Sequence, residues 1–422
     1  MKRKNHHSLD IKPINLQLSK YSLKFNSVFD IHKLQPFFPP IEQLFKTEIL
    51  DNPVNYGIKF NSNIQSITNN ILKNSLGEEF NVHPKITMLL NPYKYMKGEL
   101  QSIELPLLNA NAQKSQSKLQ NYNNAAYVGS LLSSVLSLSG CQHFPKVFGV
   151  FSGISNEFKL NISDDYEELS ERPWFSKNIG KTFTLNFKDG YSSNLNLTKS
   201  SKNVLKFLDE EIILDDFEEI KISEVCEPIL KSEEFKPIFN DENIEVKDDD
   251  TSSSISTSYI FDIESISTFS DEDLEEEEEE EEEDDSFVWA LFKDVPVQLT
   301  IMEKLDGTLY DLFTSYPDPH KQYVWLIQVI FALAYAQRSF GFIHNDLHGN
   351  NIMFQSTTKE YFYYMHNSIK YKVPTYGYLI KIIDFDRGIG YVKLPTMKEP
   401  RLFMSDQFAA EEEAGGQYNC EP

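Results

Sequence analysis

The sequence predicts an α+β fold, and three observations carry that prediction. Short apolar runs at residues 82–90, 144–151, 181–187 and 297–302 have the length and alternation of strands. Two longer segments, 123–138 and 318–339, repeat their apolar residues at helical spacing. With 422 residues, 40% hydrophobic and 13% aromatic, the chain is long enough for two lobes around a substantial core.

In chain order, residues 1–55 read as an N-terminal extension. The opening MKRKNHH leads into polar sequence without an apolar core or cleavage site, so no secretory signal is expected. Strand 82–90 carries Pro84 near its start, where a missing N–H is tolerated. Asn124 is a candidate cap for the helix that follows, and 144–151 is the next strand. Residues 155–240 form an insertion whose alternating stretches, such as KTFTLNF at 181–187, predict added strands.

Residues 241–286 contain 22 acidic residues and one lysine, with an unbroken glutamate run at 275–283. Such a segment cannot bury enough apolar surface to offset its ordering entropy, and a solvated acidic loop is expected. It also explains the net charge of −24, because the remaining chain carries 39 basic and 42 acidic residues, a net −3.

Strand 297–302 leads into EKLDG at 303–307, and Gly341 ends helix 318–339. The most apolar stretch, 323–336, contains Gln328 and is shorter than the roughly 20 residues of a bilayer span. Neither a membrane nor a nucleic-acid partner is predicted. Cys141, Cys226 and Cys420 are too scattered for a disulfide framework or a zinc pattern, so a reducing cytoplasmic or nuclear setting is expected.

Two segments carry the chemistry: FIHNDLHGNNIMF at 342–354 and KIIDFDR at 381–387. Asp346 follows an apolar turn, a place from which a carboxylate can orient or deprotonate a hydroxyl. Asn351 offers a neutral carbonyl oxygen, and Asp384, closing the apolar run YLIKIID at 378–384, offers a charged one. Together they describe a two-ligand Mg²⁺ site with a base beside it, which are the parts that phosphoryl transfer requires.

The pattern H-x-D-x-x-x-x-N followed by D-F-x resembles the catalytic and metal-binding loops of the protein-kinase fold. His348 stands two residues after Asp346 where lysine is usual, and 384 − 346 = 38 residues separate the two aspartates. Both features are similar to haspin-like kinases, which insert a hairpin before the second loop; KYKVPTYG at 370–377 would be its return. AYV at 126–128, FGVF at 148–151, TL at 308–309 and EEAGGQYN at 412–419 are similar to serine/threonine kinase-like proteins of giant DNA viruses.

The resemblance implies a two-lobed fold. Residues 56–302 would form a small lobe, an antiparallel sheet plus a helix, and 303–422 a mainly helical large lobe. It also implies ATP and Mg²⁺ as cofactors. Asp346 would act as base with His348 near the transferred phosphoryl group, and Asn351 and Asp384 would hold metal. Lys85 would sit on the α- and β-phosphates, Met302 behind the adenine, and the backbone of Glu303 and Leu305 at the adenine edge. The residues alone leave Lys85 open to being an ordinary solvent-facing lysine.

Four departures accompany the likeness. Helix 123–138 has no acidic residue to hold Lys85, with Glu99 and Glu104 ahead of it as substitutes, and no G-x-G-x-x-G precedes the lysine strand. Asp386 replaces the usual glycine and reads as an exposed carboxylate rather than a further ligand. The chain ends 422 − 384 = 38 residues after Asp384, so the large lobe is expected to be incomplete, with a partner covering helix 318–339.

The function expected is that of an ATP-dependent serine/threonine protein kinase with a basic protein substrate. Two alternatives stand beside it. DLHGNN at 346–351 also resembles small-molecule kinases of the aminoglycoside and choline type, and a degenerate kinase could serve as a binding module through its acidic loop.

Overall fold

The computed structural model describes residues 11–21, 27–36, 38, 41–61, 63–100, 105, 124–163, 165–188, 287–366 and 369–404, with short strand pieces at 217–218, 227–228 and 266–267. The acidic segment, apart from 266–267, lies outside the described residues, as do 405–422 and Glu104.

The architecture is mixed helix and sheet, with mostly sheet. Eight antiparallel strands make the dominant sheet: β1 (Ser27–Val28), β2 (Ile31–Gln35), β3 (Ile64–Thr68), β4 (Ile71–Asn74), β5 (Glu79–Met88), β6 (Val147–Asn161), β7 (Thr184–Phe187) and β8 (Val288–Glu303). β8 runs through the middle, flanked by β5, β4 and β3 on one side and β6, β2 and β1 on the other. Its residues 295–301 are all buried, the signature of a strand covered on both faces. Two of them are polar, and each makes a side-chain hydrogen bond, although Gln298 Oε1 is buried without a partner among the described residues. Gln298 Nε2 donates to Phe151 O at 2.7 Å, and Thr300 Oγ1 meets Ser130 Oγ at 2.8 Å.

Pro84 sits inside β5, opposite Ile301. The partnership of β5 with β4 stops at Asn81, so past that point β5 has an open edge where a missing N–H costs little. The β3–β4 turn closes on Asn69 and Asn70, both left-handed, as a two-residue hairpin requires.

Helix α1 (Asn124–Leu138) lies on this sheet, pinned to β8 by the Ser130–Thr300 contact. Beyond Glu303 come β9 (Gly307–Thr308), α2 (Leu309–Ser315) and α3 (Pro319–Phe340). Six strands follow: β10 (Ile352–Ser356), β11 (Tyr361–His366), β12 (Ile369–Pro374), β13 (Tyr378–Ile382), β14 (Ile389–Val392) and β15 (Arg401–Met404).

α3 is built as its sequence dictates. Asp318 caps it by accepting from His320 N at 3.0 Å, and Gly341 ends it in the left-handed conformation, φ 55. Gln328 fastens it to β13, donating to Tyr378 O at 3.1 Å and accepting from Ile380 N at 3.0 Å.

Several expectations need correcting. The part after Glu303 is not mainly helical among the described residues, because the sequence after Asp384 alternates as IGYV and forms the β14–β15 hairpin. The 155–240 insertion yields two short helices, Tyr166–Glu171 and Pro173–Asn178, before its strand β7. Tyr166 and Phe175 bury their rings together there, which a helical turn permits and an extended segment would not. Residues 31–35 enter the dominant sheet from within the stretch read as an extension.

The face of α3 is largely covered. The β11–β12 hairpin takes Val324, Ile327 and Phe331, with Phe331 stacked on Tyr364 at 4.3 Å, while Ile14 and Leu16 share a cluster with Ala332, Ala336 and Phe340. Ile330, 37% exposed, is the one large apolar residue of α3 classed as exposed. No helix among the described residues is long and apolar enough to cross a membrane.

Candidate active site

After Gly341 ends α3, the chain runs through a loop to Asn351 and then into β10. β10 and β13 pair antiparallel with Ile352 opposite Ile382, and Ile383 N donates to Asn351 O at 3.0 Å. Asn351 and Asp384 therefore leave the same end of two paired strands. Asp384 itself is left-handed, φ 61, a strained conformation for a residue with a side chain.

The loop holds its shape through its own polar groups. His344 Nε2 meets Ile383 O at 2.8 Å, and Asp346 N donates to His344 Nδ1 at 3.3 Å. Burial lowers the His344 pKa, and the neutral ring, donating from Nε2 and accepting at Nδ1, satisfies both contacts. His344 is thus a strut between the two loops. Asn351 Nδ2 donates to Asp346 O at 2.9 Å and lies 3.1 Å from His348 Nε2, which commits its amide nitrogen inward. Arg387 Nη1 reaches Asp346 Oδ1 at 3.1 Å, and Asn345 Nδ2 donates to Arg387 O at 3.0 Å.

Lys85 comes from the sheet to meet these loops. Its Nζ lies 2.6 Å from Asp384 Oδ1 and 2.8 Å from Asp386 Oδ1. Burial alone would lower the lysine pKa, but Asp386 and Asp384 together raise it, so Lys85 is firmly cationic. Asp384 divides the same way: burial pushes its carboxyl up, and the Lys85 ammonium outweighs that and lowers it. For Asp386 burial dominates, and its pKa rises to about 6.

Asp386 is therefore not the exposed carboxylate its sequence position suggested. It rests against α1 at Gly129, where an added Cβ would fall 1.9 Å from Asp386 Oδ1. Glycine inside a helix costs about 1 kcal/mol relative to alanine, and here the missing side chain is the space the carboxylate occupies.

A cavity of ≈ 210 Å³ opens beside these groups, lined by Lys85, Met302, Val147, Ile383, Asp384 and Phe385 among others. Met302 is part of this wall; Glu303 and Leu305 are not. Glu303 is buried, and its Oε1 takes both Lys381 Nζ at 2.5 Å and Lys146 N at 2.8 Å. Its own N–H donates to Lys146 O at 2.9 Å. The structure thus gathers Asp346, His348 and Asn351 on one loop and Lys85 with Asp384 on the facing side. No group of three or more His, Cys, Asp or Glu side chains able to hold a metal ion occurs among the described residues.

Sequence reasoning missed Asp386 as a partner of Lys85, the Arg387–Asp346 pair and the buried Glu303–Lys381 pair. The first had a signal: an acid in the place of a glycine, and a mid-helix Gly129 in a helix without any acid.

No family model matches the chain. A probable serine/threonine-protein kinase of Dictyostelium discoideum is 35% identical to it over 77 residues. Over that stretch the chain is similar to a kinase. The match covers 17% of this chain and 6% of that protein.

Proposed function

We propose that the chain is an ATP-dependent phosphotransferase of the serine/threonine-kinase type, with the cleft between the sheet and the Asp346 loop as its nucleotide site. The observation that carries this reading is Lys85 reaching from β5 to Asp384 at 2.6 Å, beside a cavity and across from Asp346 and Asn351. The strand order β3-β4-β5-β8-β6 with α1 against it supports a two-lobed kinase-like arrangement.

Asp346 orients the accepting hydroxyl and takes its proton, and Lys85 places positive charge on the nucleotide phosphates. Asn351 and Asp384 supply one neutral and one charged oxygen, a donor set that suits Mg²⁺, and the amide nitrogen of Asn351 is already spent on Asp346 O. When bound, the ion would neutralise charge on the phosphates. His348 stands beside Asn351, within reach of the transferred group. The acidic segment at 241–286, with 22 acidic residues and one lysine, favours a basic protein as acceptor.

The test is transfer of label from γ-³²P-ATP to basic proteins and to the chain itself, with Asp346→Ala as control. Transfer that disappears in Asp346→Ala is expected. ATP-linked stabilisation without transfer to any protein, peptide or metabolite would overturn the catalytic reading and leave a nucleotide-binding module.

A further inference from the structure

Two carboxylates share the Lys85 ammonium, and they come from the same short turn. One of them has another task. If Asp384 turns to a bound metal, the counter-charge left to Lys85 among the described residues is Asp386. Among those residues no other carboxylate pairs with Lys85: α1, the helix facing the lysine, has no acidic residue along its length, and Glu99, ahead of it, forms no ion pair. Against Asp386 on α1 stands Gly129, whose missing Cβ is the space that Asp386 fills. Ser133, one turn along the helix, lines the cavity, so this side of α1 faces the site.

We propose that Asp386 is the positioning residue for Lys85, aiming its ammonium at the nucleotide phosphates, and that Gly129 is present to admit it. This rests on the phosphotransfer reading for its purpose. The pairing itself can be read independently, through the chemical reactivity of one amine.

Lys85 held as an ammonium between two carboxylates reacts slowly with an acylating reagent, because only the neutral amine attacks. Acetylation of Lys85 by sulfo-N-hydroxysuccinimide acetate, followed peptide by peptide in a mass spectrometer, measures this directly. Asp386→Asn is expected to speed acetylation of Lys85 by about tenfold, the effect of one unit in its pKa. Gly129→Ala should do the same by displacing the carboxylate. In an Asp386→Gly background, Gly129→Asp should restore the protection and Gly129→Asn should not.

In the transfer assay Asp386→Asn should raise KM for ATP more than it lowers kcat, with Gly129→Asp/Asp386→Gly recovering part of the loss. Unchanged Lys85 reactivity in both Asp386→Asn and Gly129→Ala would overturn the assignment. Should wild type transfer no phosphate while Asp386→Asn still unmasks Lys85, the phosphotransfer reading falls and the pairing stands.

Discussion

Arg387 Nη1 lies 3.1 Å from Asp346 Oδ1, so the carboxylate proposed to receive a hydroxyl proton is already held by a cation from the facing loop. The two side chains are 25% and 28% exposed, which leaves the pair partly open to solvent. Arg387→Ala is therefore expected to cost under about 1 kcal/mol of stability, and releasing a pair of that strength should raise kcat by up to about fivefold. Denaturant melts and steady-state turnover measure the two effects. A fall in kcat would show instead that Arg387 orients Asp346 productively.

Lys85→Met should remove the stabilisation that ATP confers. A ligand at about 100 times its Kd adds roughly 2.7 kcal/mol to a protein that binds it only when folded. Thermal shift with and without Mg²⁺ reports the difference. An undiminished shift in Lys85→Met would place the nucleotide elsewhere.

Glu303 and Lys381 form an ion pair with side chains only 9% and 3% exposed, joining the end of β8 to β13. Removing one partner leaves the other buried and unpaired, a loss of about 3–5 kcal/mol for Glu303→Met or Lys381→Met. Replacing both by methionine should cost much less than the two single losses added together. Urea unfolding of the four proteins forms the cycle, and simple additivity would mean the pair is not coupled.

His143 gives the fold an acid limit. It is fully buried between Ile380 O at 2.6 Å and the Tyr364 hydroxyl at 2.9 Å, and burial lowers its pKa from 6.5 to about 4. Between those values the unfolded chain binds the proton and the folded one does not, so stability falls as the pH drops from 6.5 towards 4. The full loss is on the order of 3 kcal/mol. His143→Gln should flatten the stability curve over that window, and an unchanged slope would assign the acid sensitivity to other groups.

What was legible in the sequence was whatever local periodicity and capping decide. Asp318 and Gly341 bound α3 within a residue of the expected ends, and the KYKVPTYG hairpin is present as β12 with its turn-back. The apolar run ending in Asp384 became a buried strand for the same reason. Contacts between distant segments were not legible. Nothing local says that an acid at 386 will be received by a glycine at 129, or that Glu303 spends its side chain on Lys381 rather than on solvent. The helical reading of the part after Glu303 came from a likeness, and the IGYV alternation at 389–392 was the overlooked strand signal.

The left-handed backbone at Asp384 narrows what evolution can do there. A replacement that keeps a bulky side chain would bear the torsional penalty while giving up the negative charge, the one property that repays it. Descendants of this chain that abandon the carboxylate should therefore drift towards glycine or asparagine at that codon, and a lineage showing valine or isoleucine there must have remade the whole turn.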